Sequence, residues 1–425
     1  MILFLLFGML SFILLGIPVG FAFLSTSVIY VMVSGDIPLV TIPQRMISGA
    51  DHYVMLAIPF FFLAAEIMNQ SGIMGRLIRF STALVGHVRG GLAHMGVISN
   101  MLMAGISGSA VADAAGLGRL QIEMMKGAGY APSFAAAISG AAATIGPIIP
   151  PSIPFVVYAS VAGVSVGKLF LAGIVPGVLM GLFLMAASFV LSKRRSYPMQ
   201  AWVGYRELGR EFVRSVPVLV LPAIILGGIL GGVFTPTEAA AVAALYAFLL
   251  AKFGYRSISW SELALAILKV GRDTARLLFI VATGSLYGWI LSREGVPQEI
   301  ASVFLSVSDQ TWVILLLINA LLLLLGCFLE PIVVLILVLP ILAPLVESIG
   351  VDLIQFGVIV TINLMIGLIT PPVGVIMFIM MGIADIKMES FLKEVWPFLL
   401  ALFLVLAIVT FVPTVVLFIP DLYSG

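Results

Sequence analysis

Long apolar runs dominate this sequence of 425 residues and decide its structural class. The runs extend over about 15–30 residues, whereas a transmembrane β-barrel is built from alternating segments of about ten residues. Hydrophobic residues make up 62% of the chain and charged residues only 10%, which is too little charge to cover a soluble surface. We therefore predict an all-α, polytopic membrane protein.

The same composition excludes several classes of function. The net charge of +1 provides no basic surface for nucleic acid. The single cysteine, Cys327, excludes a disulfide framework. The phosphate-binding motif G-x-x-x-x-G-K-[ST] does not occur, so we expect that the chain does not hydrolyse ATP itself. We predict no catalytic residues and no enzymatic activity.

Lysine and arginine indicate the orientation, because cytoplasmic loops carry an excess of both. Two basic clusters, at 193–214 and 252–276, are separated by two apolar stretches and can both face the cytoplasm. Within them the segments 200–214 and 257–272 are amphipathic, and we predict helices that lie in the cytoplasmic interface. The apolar run over residues 1–33 is unbroken and has no cleavage site, so we expect a first span that is retained.

The segment 91–125 has basic residues on both sides, with Arg89 before it and Lys126 after it. It is interrupted at 105–109, and each arm of about 15 residues reaches only about 22 Å, which is too short for a hydrocarbon core of about 30 Å. We predict a re-entrant hairpin that opens to the cytoplasm. Residues 294–386 contain no Lys or Arg, and there the apolar segment 311–347 is broken at 326–331 and has acidic flanks. We predict that this second hairpin opens to the outer side.

Helix-breaking residues recur at a constant offset of 221 residues. The offset pairs the Pro-Pro segment 146–151 with 367–372. Further pairs are Gly105 with Gly326, Gly129 with Gly350, and Pro176 with Pro397, while Pro18 and Pro236 match at an offset of 218. Because the paired segments run in opposite directions, we predict an inverted repeat with two re-entrant hairpins and two broken helices.

Proline in mid-membrane frees a backbone carbonyl, which lipid tolerates only beside a cavity or a ligand. Carbonyl and hydroxyl oxygens at a hairpin tip and a broken helix suit a hard cation such as Na⁺. The Na⁺ candidates of the first half are Ser107, Gly108, Thr144, Gly146 and Pro147. The alternative is that these small residues only let helices pack closely.

In the second half the corresponding Na⁺ candidates are Gly326, Phe328, Glu330, Gly367, Thr370 and Pro371. Glu330 is the only acid between Asp309 and Glu347, and a charge at bilayer depth indicates function. The alternative is a carboxyl that reaches the interface or becomes protonated.

A further group of residues is predicted to lie on the substrate side. Arg119 could bind a carboxylate through two hydrogen bonds, or it could pair with Asp113 or Glu123. Asn100 could join the site or bond across helices. The full set is Ser109, Asp113, Arg119, Asn100 and Asn363.

Several motifs resemble the large membrane subunit of the TRAP (tripartite ATP-independent periplasmic) transporters, and the likeness covers almost the whole chain. The first half carries GISGSAVADAAG at 105–116, GAGY at 127–130, TIGPIIPPS at 144–152 and AGIVPG at 172–177. The second half carries GCFLE at 326–330 and ITPPVG at 369–374. The family often has Asp at the position of Glu330, so the carboxylate is kept while its reach differs.

The resemblance implies a sodium-coupled secondary active importer of organic acid anions, such as C4-dicarboxylates or sialic acid, in a bacterial inner membrane. It implies an elevator mechanism, in which a transport domain slides against a scaffold, and at least two Na⁺ sites where hairpin tips meet broken helices. It also implies a small four-helix membrane subunit (Q type) and a periplasmic substrate-binding protein (P type). Because the chain begins directly at its own first span, we expect the small subunit to be a separate chain.

These predictions divide the chain into scaffold and transport parts. Scaffold helices are expected at 1–90 and 216–308, with the second interfacial arm at 257–272. A cytoplasmic amphipathic arm is expected at 193–215. The transport repeats are expected at 91–192, with hairpin 91–128 and broken helix 131–165, and at 309–420, with hairpin 311–347 and broken helix 352–384.

Two rival functions remain open. A stand-alone sodium/dicarboxylate or citrate carrier of the same superfamily would work without a binding protein. A channel or a structural membrane subunit would show no saturable uptake that depends on sodium. A proton-coupled importer would have to use Glu330 or Asp113.

Overall fold

The structure is a computed structural model that describes residues 2–423, and every regular element within this range is helical. The helices of the first half are α1 Ile2–Leu14, α2 Val19–Ser34, α3 Thr41–Ala50, α4 Ala57–Gln70, α5 Ile73–Val85, α6 Gly91–Ser107, α7 Ala110–Ala115, α8 Leu117–Gly127, α9 Pro132–Ala143, α10 Ile153–Ala162 and α11 Val166–Arg194. Those of the second half are α12 Tyr205–Leu230, α13 Pro236–Leu249, α14 Trp260–Arg293, α15 Val296–Val307, α16 Thr311–Phe328, α17 Pro331–Ser348, α18 Leu353–Gly367, α19 Val375–Ala384, α20 Met388–Phe411 and α21 Pro413–Leu422. The all-helical prediction is confirmed for these residues.

Many of these helices are suited to a bilayer. Within the described range, eight helical segments are long and apolar enough to cross a membrane, judged by length and composition. A 3-10 turn at Tyr53–Leu56 leads into α4, and together they form one of the eight segments. Several shorter apolar helices, including α6, α9 and α10, accompany them.

The two halves contain the same order of helices at the offset found in the sequence. Helices α6, α9, α10 and α11 are matched by α16, α18, α19 and α20, and the starting positions agree with the offset to within one residue. The matched glycines Gly129 and Gly350 both have positive φ, at 85° and 78°, a region that favours glycine. The repeat is therefore visible in helix boundaries as well as in helix-breaking residues.

Each predicted hairpin is broken at its predicted tip. Between α6 and α7 the chain turns at Gly108, whose φ is 59°, and Ser109 caps α7 by accepting a hydrogen bond from the N–H of Ala112 at 3.4 Å. Between α16 and α17 the break falls at residues 329–330, and Pro331 begins α17. Since α16 and α17 have 18 residues each, or about 27 Å, their length does not decide whether this pair crosses or re-enters the bilayer.

Both predicted broken helices are interrupted. The first interruption covers residues 144–152, between α9 and α10, and the second covers residues 368–374, between α18 and α19. The peptide bonds Pro150–Pro151 and Pro371–Pro372 are cis. Across the second interruption the N–H of Ile376 donates to the carbonyl of Leu368 at 2.9 Å, which ties the two half-helices together.

The apolar run at the start of the chain forms more than one helix. The structure has two helices there, α1 and α2, separated at Gly16, with φ 82°, and at Pro18. Proline has no backbone N–H to continue α1, and it precedes the first turn of α2. The apolar composition continues across the break, so hydropathy alone did not reveal it.

The two predicted interfacial arms are not separate helices. Residues 205–214 of the first segment form the first turns of α12. Residues 260–272 of the second segment form the first turns of the 34-residue helix α14. A capping box begins α14, because the N–H of Glu262 donates to Ser259 Oγ at 3.2 Å and the N–H of Ser259 donates to Glu262 Oε2 at 2.7 Å. The helix then continues into its apolar part.

Basic residues of α5 contact both basic clusters, in agreement with their predicted common side. Arg79 Nε lies 3.5 Å from Glu211 Oε2 of α12, and the guanidinium carbon of Arg76 lies 4.0 Å from the ring centroid of Tyr255. Lys269 Nζ of α14 lies 2.7 Å from Glu66 Oε2 of α4. These contacts connect helices of the predicted scaffold at one end.

The helices pack around two centres. One is α14, which packs against α2, α3 and α4. The other is the alanine-rich helix α9, which is buried along most of its length and is surrounded by α6, α8, α19 and α20. Helix α17 bridges the groups by packing against both α14 and α10. The predicted boundaries between scaffold and transport parts stay predictions.

Candidate functional site

A cavity of about 100 Å³, here the central cavity, lies where both hairpin tips meet both interruptions. The first tip contributes residues 108–111 and the second contributes 330–332. Pro147 lies in the first interruption and Leu368 begins the second. Phe62 of α4 adds a wall from the other helix group. Equivalent parts of both halves therefore converge on one place.

The first tip is a compact turn held against the first interruption. Ser107 Oγ accepts a hydrogen bond from the N–H of Ser109 at 3.3 Å. A Cβ atom at Gly108 would lie 2.7 Å from the carbonyl oxygen of Pro151, so the absence of a side chain permits this approach. Among described residues, the carbonyls of Ser107 and Gly108 accept no hydrogen bond and remain free to bind a cation.

Asp113 of α7 is completely buried, and its carboxylate oxygens make no hydrogen bond of standard geometry with a described residue. The Ser107 hydroxyl of the first tip lies close enough to interact with the carboxylate, but no cationic side chain pairs with it among the described residues. A Cβ atom at Gly146 would lie 2.5 Å from Asp113 Oδ2, so the carboxylate faces the first interruption. Burying a carboxylate without a partner is costly, and buried carboxylates are normally paired, bound to a cation or neutralised. The carboxylate does not line the central cavity, where its predicted substrate role would place it.

The first interruption supplies oxygen atoms beside Asp113. Thr144 is completely buried, and its hydroxyl donates to the carbonyl of Ala141 at 2.6 Å. The carbonyls of Thr144 and Gly146 accept no hydrogen bond within the described range. The carbonyl of Pro147 accepts one from the hydroxyl of Ser152. Free carbonyls near an unpartnered carboxylate form a donor set that suits a hard cation.

In the second half, the backbone of the second tip is in direct contact with the backbone at the end of α18. A Cβ atom at Gly367 would lie 2.5 Å from the carbonyl carbon of Gly326, so this contact requires glycine at position 367. A Cβ atom at Gly326 would lie 3.2 Å from Leu364 Cδ2, which is a tight contact with α18. The N–H of Gly374 donates to the carbonyl of Cys327 at 3.1 Å. In the described structure, the carbonyls of Gly326 and Phe328 accept no hydrogen bond.

Glu330 lies at the second tip and lines the central cavity. The residue as a whole is exposed, while its carboxyl group is partly desolvated, and it makes no hydrogen bond or ion pair with another described residue. The Phe328 side chain is 54% exposed, and Phe328 does not line the central cavity. Thr370 donates its hydroxyl to the carbonyl of Ile366 at 2.7 Å, and Pro371 precedes the cis bond.

Only one predicted substrate residue, Ser109, lines the central cavity. Asn100 is buried between α6 and α8, where its amide donates to the carbonyl of Gly96 at 2.8 Å. Arg119 is exposed and forms no ion pair with Asp113 or Glu123 within the described residues. Asn363 lines a different cavity, which it shares with Asn319.

Most apolar residues of the central cavity were not predicted from the sequence, and two of them lie outside the tips and interruptions. Phe62 lies on α4 and Met365 lies on α18, and both contact the space between the tips. Neither differs in type from the many apolar residues around it, so composition and periodicity carry no signal for either residue. The contact of Asp113 with Gly146 was also missed, because it joins two elements that are not adjacent in sequence.

Comparison with known proteins gives the family. Residues 6–415 match the model of the tripartite ATP-independent periplasmic transporter, DctM component. The chain belongs to this family. It is therefore a multi-pass transporter permease, and the resemblance to TRAP large subunits is confirmed.

Two curated relatives cover nearly the whole chain. The sialic acid TRAP transporter large permease protein SiaM of Vibrio cholerae is 39% identical over 419 residues, which cover 99% of this chain and 98% of that protein. The C4-dicarboxylate TRAP transporter large permease protein DctM of Pseudomonas aeruginosa is 41% identical over 377 residues, which cover 89% and 88%. The names of these two relatives therefore specify chemically different acids, sialic acid and C4-dicarboxylates.

A solved structure has a similar fold. The YdaH transporter of Alcanivorax borkumensis matches with a TM-score of 0.64 over 87% of this chain and 86% of its own, at 15% sequence identity. At that identity the likeness concerns the fold alone.

Proposed function

We propose that the chain is the large membrane subunit of a sodium-coupled importer of organic acid anions. The observation that carries this proposal is the central cavity, where tips and interrupted helices of both halves meet around unpaired polar groups. Broken helices that face each other at one place are typical of secondary transporters, in which free backbone groups bind the substrate and its coupling ions. The named substrates of two relatives favour sialic acid or a C4-dicarboxylate as the cargo class.

The first sodium site is proposed between the first tip and the first interruption. Its ligands would be carbonyls of Ser107, Gly108 and Thr144, with Gly146 and the carboxylate of Asp113 beside them. The free carbonyls and the buried, unpartnered carboxylate support this assignment. This proposal assigns Asp113 to the first sodium site, whereas the sequence analysis predicted that it contacts the substrate. A sodium ion there would neutralise a charge that the protein otherwise leaves unpaired.

The second sodium site is proposed at the equivalent position of the second half. Carbonyls of Gly326 and Phe328 would face the backbone around Gly367 and Thr370, with Pro371 fixing the turn. The close glycine contact and the free carbonyls support the assignment. Glu330 would add negative charge at the cavity edge, where it also lies near the incoming anion.

The substrate would bind between the two tips, near Ser109. No lysine or arginine lines the central cavity, so bound sodium ions would supply the positive charge that an anion needs. The volume of about 100 Å³ is below the roughly 300–1,000 Å³ typical of small-molecule sites. Substrate entry therefore requires the tips to separate, which agrees with a gating movement of at least one tip.

The transport cycle is proposed to be an elevator movement of the repeats around α9 against the helices around α14. This proposal includes re-entrant paths for both hairpins and inverted orientations of the two halves, as the basic and acidic flanks predict. Partners are proposed by family membership: a small four-helix membrane subunit and a periplasmic protein that delivers the anion. The location would be the bacterial inner membrane.

Uptake into proteoliposomes tests this function. The chain is reconstituted with and without the two partner proteins, and a panel of labelled acids is offered with a sodium or a potassium gradient. We expect saturable uptake of one acid class that needs sodium and all three proteins. Uptake by the chain alone would identify a stand-alone carrier, and non-saturable flux in both salts would identify a channel.

A further inference from the structure

A second cavity, of about 240 Å³, lies between α16, α18 and α20, and we call it the amide cavity. It shares no lining residue with the central cavity. Its apolar walls are formed by Leu316, Ala320, Leu323, Phe403, Leu406, Ala407 and Phe411. Leu316 and Phe411 are 45% and 44% exposed, so the cavity opens to the outside of the chain, on apolar helices that would face the membrane.

Three polar residues, Asn319, Asn363 and Thr410, form the floor of the amide cavity. The Nδ2 group of Asn363 donates to the backbone carbonyl of Asn319 at 2.9 Å and to its Oδ1 at 2.8 Å. The Nδ2 group of Asn319 donates to the carbonyl of Leu315 at 2.9 Å and to Thr410 Oγ1 at 3.3 Å. Every amide proton of the two side chains is therefore used within the protein.

One acceptor remains. Asn363 is completely buried, and its Oδ1 has no hydrogen-bond partner among the described residues. The hydroxyl of Thr410 accepts from Asn319, but its own proton is donated to no other described atom. The floor residues thus hold one acceptor and one donor that no other described group uses. Because Asn363 Oδ1 has almost no accessible surface, an occupant reaches it only when the Asn363 side chain turns toward the cavity. A buried acceptor that lacks a partner is unfavourable, so filling it provides a driving force for binding.

We propose that the amide cavity binds an uncharged amphipathic molecule through a hydroxyl group, with its hydrocarbon tail along the apolar walls. A hydroxyl both donates and accepts, so it complements Asn363 Oδ1 and the Thr410 hydroxyl together. No charged residue lines the cavity, so a carboxylate or an ammonium group would be buried without a counter-ion. An apolar pocket with a few convergent polar groups is the usual form of a small-molecule site.

The occupant of the amide cavity is distinct from the transported anion and does not depend on the proposed sodium coupling. It would come from the bilayer, because the cavity opens between apolar helices. It would sit against α16 and α18, the helices that carry the second tip and the second interruption. Occupation of the cavity would therefore restrict the relative movement of these two elements.

Photolabelling of the full chain in lipid nanodiscs tests the proposal. The probe is 1-octanol with a photoreactive diazirine on its chain, and labelled peptides are mapped by mass spectrometry. We expect labelling on 311–328 and 388–411 that excess 1-octanol prevents and that octane or octanoate does not. Asn363→Leu should weaken competition by 1-octanol about tenfold, the value of roughly one hydrogen bond.

Two further variants keep the test decisive. Thr410→Val removes the proton donor and keeps the shape, so it should weaken 1-octanol competition even if Asn363→Leu folds poorly. Asn69→Leu is the control, because Asn69 also has a buried Oδ1 without a partner but does not line the amide cavity, and labelling should persist. Equal competition by octane, or labelling spread over other lipid-facing helices, would overturn the proposal.

Discussion

Asp113 and Gly146 come from different elements, yet the carboxylate of one lies against the backbone of the other. The contact leaves no room for a side chain at Gly146, and no cationic side chain pairs with Asp113 among the described residues. The sequence could predict that both residues belong to a functional region, because each lies beside a helix break. It could not predict their contact or the role of Asp113, since both depend on how α7 packs against the first interruption.

Replacing Asp113 by Asn tests the first sodium site. The wild-type chain should melt at a higher temperature in sodium chloride than in potassium chloride, because ligand at about 100 times its Kd stabilises by about 2.7 kcal/mol. Asp113→Asn keeps the size and removes the charge, so the share of this sodium-specific shift that comes from the first site should vanish, while the share from the second site should remain. Asp385→Asn is the control, because Asp385 is exposed and its positive φ of 57° is compatible with Asn. A full sodium shift in Asp113→Asn would argue against the assignment.

Gly146→Ala tests the same site from the opposite side. The added Cβ would lie 2.5 Å from Asp113 Oδ2, so the carboxylate or the interruption must move. We expect a loss of apparent sodium affinity of at least about tenfold, which corresponds to about 1.4 kcal/mol. Sodium titrations of the melting temperature measure it. Gly127→Ala, where no atom lies within 4 Å of the new Cβ, should leave the sodium affinity unchanged.

Glu330 gives a prediction for the second tip. Its carboxylate lines the central cavity and has no protein partner among the described residues. Glu330→Asp keeps the charge and shortens the side chain by one methylene group, so sodium-dependent uptake should persist. Glu330→Gln keeps the length and removes the charge, and uptake should decrease about tenfold or more, as expected for the loss of a charged interaction at a partly desolvated site. Equal uptake by both variants would mean that the charge at this position is dispensable.

At the scale of the elements, the sequence predicted where most helices break. It did not predict which face of a helix contacts which neighbour or cavity. Glycine and proline marked both tips and both interruptions, because their backbone preferences act locally. The split between α1 and α2 was missed although Gly16 and Pro18 mark it, since the apolar composition was taken as continuous. Asn363 was assigned to the wrong surface, because α18 is buried on nearly all sides and shows no polar face.

The contact of α14 with α17 can be tested through Gly284. A Cβ atom there would clash with Ile336 Cγ2, whereas Gly271 on the same helix has open space. Gly284→Ala should lower the free energy of unfolding by about 1–3 kcal/mol, as overpacking does. Gly271→Ala should raise it by up to about 1 kcal/mol, because alanine is the better helix former.

The partner of Gly284 provides the check. Combining Gly284→Ala with Ile336→Ala makes room for the new methyl group, so the double variant should lose less stability than the two single changes predict together. A coupling of about 0.5–3 kcal/mol is expected for residues in contact. If Gly284→Ala is as stable as Gly271→Ala, then α14 and α17 do not pack as described.

For the whole molecule, the repeat organises both structure and function. The matched helices of the two halves start within one residue of a constant offset, and their tips and interruptions meet at the central cavity. The offset was visible in the sequence because helix breakers are rare in apolar helices. The closeness of the two halves and the small volume of the cavity were not visible in the sequence, because they depend on long-range packing.

The central claim is that sodium entry drives anion entry. The most direct measurement follows radiolabelled sodium and a labelled acid at the same time, in proteoliposomes that contain the chain and both partner proteins. The account predicts that each anion enters with two or more sodium ions, and that Asp113→Asn lowers both fluxes together. Anion uptake that proceeds at full rate without any sodium entry would contradict it.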